Sequence, residues 1–159
     1  MPKLQKGDTA PDFELQDQNG HPVKLADFRG EKLLVYFYPR ANTPGCTTQS
    51  CAVRDNLRLL VARGVSAVGI SPDPAKAQKR FDDDFSLGFP LLSDETHAVA
   101  EAYGVWDKKT LYGKLHFGII RSSFLIAPDG VVMEAWYKVS PGDTVPNVLD
   151  AISHLGTPT

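Results

Sequence analysis

Apolar positions along the chain follow two periods. Residues 12–16 alternate polar and apolar, and residues 21–25 do so again beyond Asn19-Gly20. Two alternating runs around an Asn-Gly pair predict a small β-hairpin near the N-terminus. Leu33-Leu34-Val35-Tyr36-Phe37-Tyr38 is instead an unbroken apolar run. That is the pattern of a central strand covered on both faces, and Pro39 ends it. A helical period then runs from about Cys46 to Arg63 and is closed by Gly64. Residues 65–71 predict the next buried strand, and 74–85 a helix led in by Pro72-Asp73. Residues 89–92 predict a short strand, and 94–103 a helix closed by Gly104. Residues 105–117 carry no clear period and read as a long loop. Residues 122–127 and 131–137 flank Pro128-Asp129-Gly130, a strong hairpin signal. Pro141-Gly142-Asp143 opens a last helix to about Leu155.

Strands alternating with helices argue for parallel pairing through crossover helices, with the second hairpin as an antiparallel edge. The fold class is therefore α/β: a mixed central sheet flanked by helices, with an N-terminal β-hairpin. A chain of 159 residues fits one domain, 1–159, and buries roughly 70% of its unfolded surface.

Charge narrows the function classes. A net charge of −2 gives no electrostatic case for nucleic acid or an anionic membrane. No apolar run approaches the roughly 20 residues of a membrane span. The opening Met1-Pro2-Lys3-Leu4-Gln5-Lys6-Gly7-Asp8 has no apolar signal region. A soluble, cytoplasmic protein is expected. In a reducing compartment a pair of cysteines is more often catalytic than structural.

Cys46 and Cys51 are the two cysteines of the chain. Cys46 lies where the central strand gives way to a helix, and a helix N-terminus is where a thiolate is most easily stabilised. Seven residues on, Val53 shares its face, and Leu57 and Leu60 continue that stripe, so Cys46 should be sheltered. Cys51 lies about 160° round the helix from Val53, aligned with Asp55 and Arg58, and should face solvent. A free cysteine also packs well as a small hydrophobe, but placement favours redox chemistry. On an intact helix, Cα atoms five residues apart are about 8.6 Å from each other. A disulfide needs less than about 7 Å. A bridge between Cys46 and Cys51 within one chain therefore requires the first helical turns to unwind. The four histidines, His21, His97, His116 and His154, show no ligand spacing. Asp82-Asp83-Asp84 reads as a solvated helix face rather than a calcium loop.

Pro39, then Thr43-Pro44-Gly45-Cys46-Thr47-Thr48, then Cys51 resembles the peroxiredoxins, in particular their bacterioferritin-comigratory-protein or PrxQ branch. The likeness extends to Gly7-Asp8-Thr9-Ala10-Pro11-Asp12-Phe13, to Phe89-Pro90-Leu91-Leu92-Ser93-Asp94, to Tyr103-Gly104-Val105-Trp106 and to residues 118–126. The resemblance implies a thioredoxin-like fold and thiol-dependent reduction of hydrogen peroxide and organic hydroperoxides. It implies that Cys46 is the peroxidatic cysteine, that Pro39, Thr43 and Arg121 complete its site, and that Cys51 is the resolving cysteine. It implies thioredoxin or a similar dithiol protein as reductant, and neither metal nor organic cofactor. A monomer suffices for a pair within one chain. Many relatives carry an acidic residue where this chain has Gln49, and Asp where it has Ala41.

Two other functions compete on the residues alone. A thioredoxin-type dithiol oxidoreductase would use C-x-x-C, whereas four residues separate the cysteines here. A non-catalytic redox sensor would use the same helical switch to gate a partner.

Overall fold

The strand β3 (Lys32–Phe37) occupies the middle of the molecule because its side chains are apolar on both sides. Leu33, Val35 and Phe37 point into one apolar cluster with Phe13, Ile70, Leu92, Tyr103 and Phe124. Leu34 and Tyr36 point into a second cluster with Val53, Leu60, Phe81, Leu125 and Val148. The computed structural model describes residues 3–153. Each face of the sheet thus carries its own core, as the period of two along a strand dictates.

Parallel to β3 lies β4 (Val65–Ser71), with Leu34 opposite Ala67, and beyond it β5 (Leu91–Ser93), also parallel. On the other side β8 (Ser122–Ile126) is antiparallel to β3, with Val35 opposite Phe124, and β9 (Val132–Trp136) forms the edge. The hairpin of β1 (Glu14–Gln16) and β2 (Pro22–Lys24) joins through Gln16 opposite Ser93. The order is β2-β1-β5-β4-β3-β8-β9. The helices α1 (Pro44–Asp55), α2 (Leu57–Ala62), α3 (Ala75–Phe85) and α5 (Thr144–Ser153) cover one face, and α4 (Ala98–Ala102) covers the other. Gly69 on β4 leaves room for two aromatic rings: an added Cβ would stand 2.8 Å from Tyr36 and 3.0 Å from Tyr38.

The architecture matches the expected mixed sheet with helices on both faces, and four local readings change. The helix expected over 46–63 begins at Pro44 and breaks at Asn56, whose side-chain amide donates to the Ala52 carbonyl (2.8 Å). The helix expected over 94–103 shrinks to α4, because the Asp94 carboxylate accepts the amides of Val99 (3.2 Å) and Ala100 (2.8 Å) and holds 94–97 as a turn. The short strand expected at 89–92 is shifted to Leu91–Ser93. Most consequentially, the expected loop over 105–117 is a hairpin, β6 (Trp106–Leu111) with β7 (Lys114–Ile119), forming a two-stranded sheet of its own. Its turn is Tyr112-Gly113, both at positive φ (52° and 74°), the geometry of a tight two-residue turn. The expected end of the last helix at Leu155 lies outside the described residues. No described helix is long and apolar enough to cross a membrane.

Candidate active site

Thr43 leads into α1 with extended backbone (φ −87°, ψ 155°), and Pro44 takes the first helical position, where its missing N–H and fixed φ carry no penalty. Thr43 makes no side-chain cap on the helix. Its hydroxyl donates instead to the Arg40 carbonyl (2.8 Å). The amides of Gly45 and Cys46 are thus left at the positive end of the helix without help from the usual capping residue. The loop before the helix is pinned from beneath. Asp73 accepts the Ala41 amide (2.7 Å) and the Ser71 hydroxyl (2.6 Å), Gln78 donates to Ser71 (2.8 Å), and Tyr38 donates to Gln78.

Cys46 has no exposed surface. The Arg121 guanidinium reaches it from the junction of β7 and β8, with Nη2 donating to Sγ at 3.4 Å. Nη1 of the same fork donates to Gln49 Oε1 (2.6 Å), and Gln49 Nε2 donates to Thr144 Oγ1 (2.8 Å). Gln49 and Thr144 are fully buried, so α1, the β7–β8 junction and α5 are tied at one point. Gly45 permits the approach of the guanidinium: a Cβ there would stand 3.1 Å from Arg121 Nη2 and 3.4 Å from Pro141.

Of the residues singled out in the sequence, Cys46 and Arg121 are in contact, and Thr43 stands at the start of the same helix. Pro39 is half-buried and leaves the Tyr38 end of the central run, setting the path of the chain toward that helix. Cys51 lies further along α1, and both thiols are free. Cys51 is not solvent-facing as expected. It is half-buried and packs against the second core cluster, whereas Asp55 and Arg58 are exposed. Beneath the helix, Tyr36 and Ser50 share a buried hydrogen bond (2.8 Å). Burial drives the Tyr36 phenol well above its ordinary range, the Ser50 bond opposes this, and negative charge on either cysteine adds to the rise.

Three further side chains contribute, of which Gln49 stood out in the sequence only as a departure from the acidic residue of many relatives. Gln49 lies three residues from Cys46, on its face of the helix, and that spacing was the available signal. Thr144 follows the turn that opens α5 and carries no such mark. Lys109 on β6 was hidden inside the supposed loop. Its ammonium donates to the Ile119 carbonyl (2.8 Å). Burial, and then the Arg121 charge, pull Lys109 below the usual lysine range, while a negative Cys46 works the other way. No group of three or more His, Cys, Asp or Glu placed to hold a metal occurs among the described residues.

Residues 6–135 match the AhpC/TSA family. Peroxiredoxin Bcp of Escherichia coli (strain K12) is 51% identical over 132 residues, covering 83% of this chain and 85% of that protein. The chain belongs to the AhpC/TSA family and is a peroxiredoxin. Among solved structures, peroxidoxin BcpB of Mycobacterium tuberculosis superposes with a TM-score of 0.86 at 35% identity, covering 97% of this chain and 99% of that one. The Xanthomonas campestris bacterioferritin comigratory protein, described for its alkyl peroxide reduction activity, superposes with a TM-score of 0.84 at 34% identity, covering 89% and 90%. This peroxiredoxin is thus of the Bcp or PrxQ kind, a thiol peroxidase with the thioredoxin-like fold.

Proposed function

We propose that Cys46 reduces hydrogen peroxide and organic hydroperoxides, alkyl peroxides among them, and that Cys51 resolves the product. Thioredoxin or a similar dithiol protein of the cytoplasm then restores the pair, and a monomer carries the whole cycle. The observation that carries this reading is the Arg121 contact to Cys46 Sγ at the first turn of α1, with Cys51 on the same helix.

The thiolate of Cys46 attacks one peroxide oxygen along the O–O axis. The S–O bond forms as the O–O bond breaks, sulfur is oxidised, and the departing oxygen leaves as water or an alcohol once it takes up a proton. Negative charge passes from sulfur to the leaving oxygen, so donors aimed along that path stabilise the transition state more than the ground state. The Arg121 fork suits this because it is rigid and permanently charged. The amides of Gly45 and Cys46 supply further donors. Thr43 would serve after turning its hydroxyl from Arg40. Cys51 then attacks the sulfenic sulfur, the S–S bond forms and water leaves. The reductant contributes two electrons and two protons to restore both thiols.

Single-turnover oxidation followed by mass spectrometry tests these roles. Cys46→Ser should abolish peroxide consumption. Cys51→Ser should undergo one oxidation at the native rate, accumulate sulfenic acid and lose thioredoxin-driven cycling. Normal cycling of Cys51→Ser would remove the resolving role.

A further inference from the structure

We propose that Lys109 is a positioning residue of the active site: it fixes the backbone that carries Arg121 against Cys46. The inference rests on Cys46 being the peroxidatic residue. Arg121 lies in a two-residue junction between β7, which ends at Ile119, and β8, which begins at Ser122. The junction is held group by group. The Ile120 amide donates to the Val105 carbonyl (2.7 Å), the Ser122 hydroxyl donates to the Ile120 carbonyl (2.8 Å), and the Val139 amide donates to the Arg121 carbonyl (2.9 Å). The Ile119 carbonyl accepts from Lys109 Nζ (2.8 Å). Lys109 arrives from the small sheet across bare backbone. A Cβ at Gly118 would stand 3.0 Å from Lys109 Cδ, so the absent side chain there gives the lysine stem its path.

The charge balance is unusual. No carboxylate forms an ion pair with Lys109 or Arg121 among the described residues. Arg121 is gripped by a neutral amide, Gln49, and Lys109 by a neutral carbonyl. The Arg121 charge acts on the Lys109 ammonium against its protonated form, and negative charge on Cys46 acts in its favour. Like charges brought together in low dielectric are costly unless a negative partner lies between them. The other titratable groups near Lys109 on the hairpin are His116, its cross-strand partner, and Asp107 on the same face of β6.

The test is stopped-flow oxidation of the reduced full chain by hydrogen peroxide, over a pH range, for the wild type, Lys109→Gln and Lys109→Arg, with thermal melting of each. Lys109→Gln should slow the first oxidation by about tenfold while melting close to the wild type. Lys109→Arg should recover most of the rate. Because Lys109 sheds its proton below the usual lysine range, the wild-type rate should decline on the alkaline side before free lysine would titrate. In Lys109→Arg that decline should move to higher pH. Wild-type rates in Lys109→Gln, or an alkaline limb unchanged in Lys109→Arg, would overturn the proposal and leave the role of Cys46 standing. A wild type that is not oxidised at Cys46 removes the earlier reading and this one with it.

Discussion

Gln49 links three elements through one side chain, and its contacts define what a substitution there does. It accepts from Arg121 and donates to Thr144, and it is fully covered. Gln49→Leu keeps a similar volume but leaves the buried Thr144 hydroxyl and one arm of Arg121 without partners. An orphaned buried polar group costs about 1–3 kcal/mol, so urea unfolding should show a loss of that size. Peroxide oxidation of Cys46 should slow as well, since the guanidinium loses the acceptor that aims it. At this scale the sequence was informative wherever chemistry is carried by a rare residue type. Cys46 and Cys51 stood out by count and position, and Arg121 through the family pattern around it. Lys109 did not stand out, because a lysine among charged neighbours looks like solvated surface. Its role depends on a register that only the folded hairpin creates.

The helix α1 holds both cysteines in an unbroken run, and the ideal helical spacing of about 8.6 Å exceeds the reach of a disulfide. Oxidation to an intrachain bridge must therefore open the first turns. Opening separates the Arg121 fork from its two acceptors on the helix and Ser50 from Tyr36. Far-UV circular dichroism should lose helical signal on oxidation and regain it with a dithiol reductant. An unchanged spectrum alongside a mass-confirmed Cys46–Cys51 bridge would exclude the unwinding. The element boundaries were less legible than the elements. Asn56 ends α1 by returning its side chain to Ala52, a local competition that the apolar stripe through Leu57 and Leu60 conceals. The hairpin β6–β7 was missed because Asp107, Lys108 and Lys109 dilute its alternation and Tyr-Gly replaces the more familiar Asn-Gly turn.

Across the whole molecule, β3 divides the interior into two apolar clusters, and three of the buried rings in them are phenols. Tyr36, Tyr38 and Tyr103 are fully buried, and burial raises the pKa of each. A phenol in the unfolded chain ionises near pH 10, whereas these stay protonated in the fold. Their contribution is therefore complete below about pH 10 and is lost as the pH rises beyond it. The melting temperature should begin to fall above about pH 10. Tyrosinate absorbance should rise with unfolding rather than ahead of it for these three residues. The global plan was readable because an unbroken apolar strand demands cover on both faces and alternating elements supply it. The strand order, with β1 meeting β5 and β8 inserted beside β3, rests on long-range pairing that no local period encodes.

The partial burial of Cys51 against the second cluster sets a race. Under the proposed roles a sulfenic acid at Cys46 waits for a partner that must first leave its apolar seat, and during that wait another peroxide molecule competes for the same sulfur. Substitutions that rigidify the helix should lengthen the wait and raise the fraction of enzyme lost to irreversible sulfinic acid. Those that loosen it should protect against peroxide excess while sacrificing the aim of the first attack.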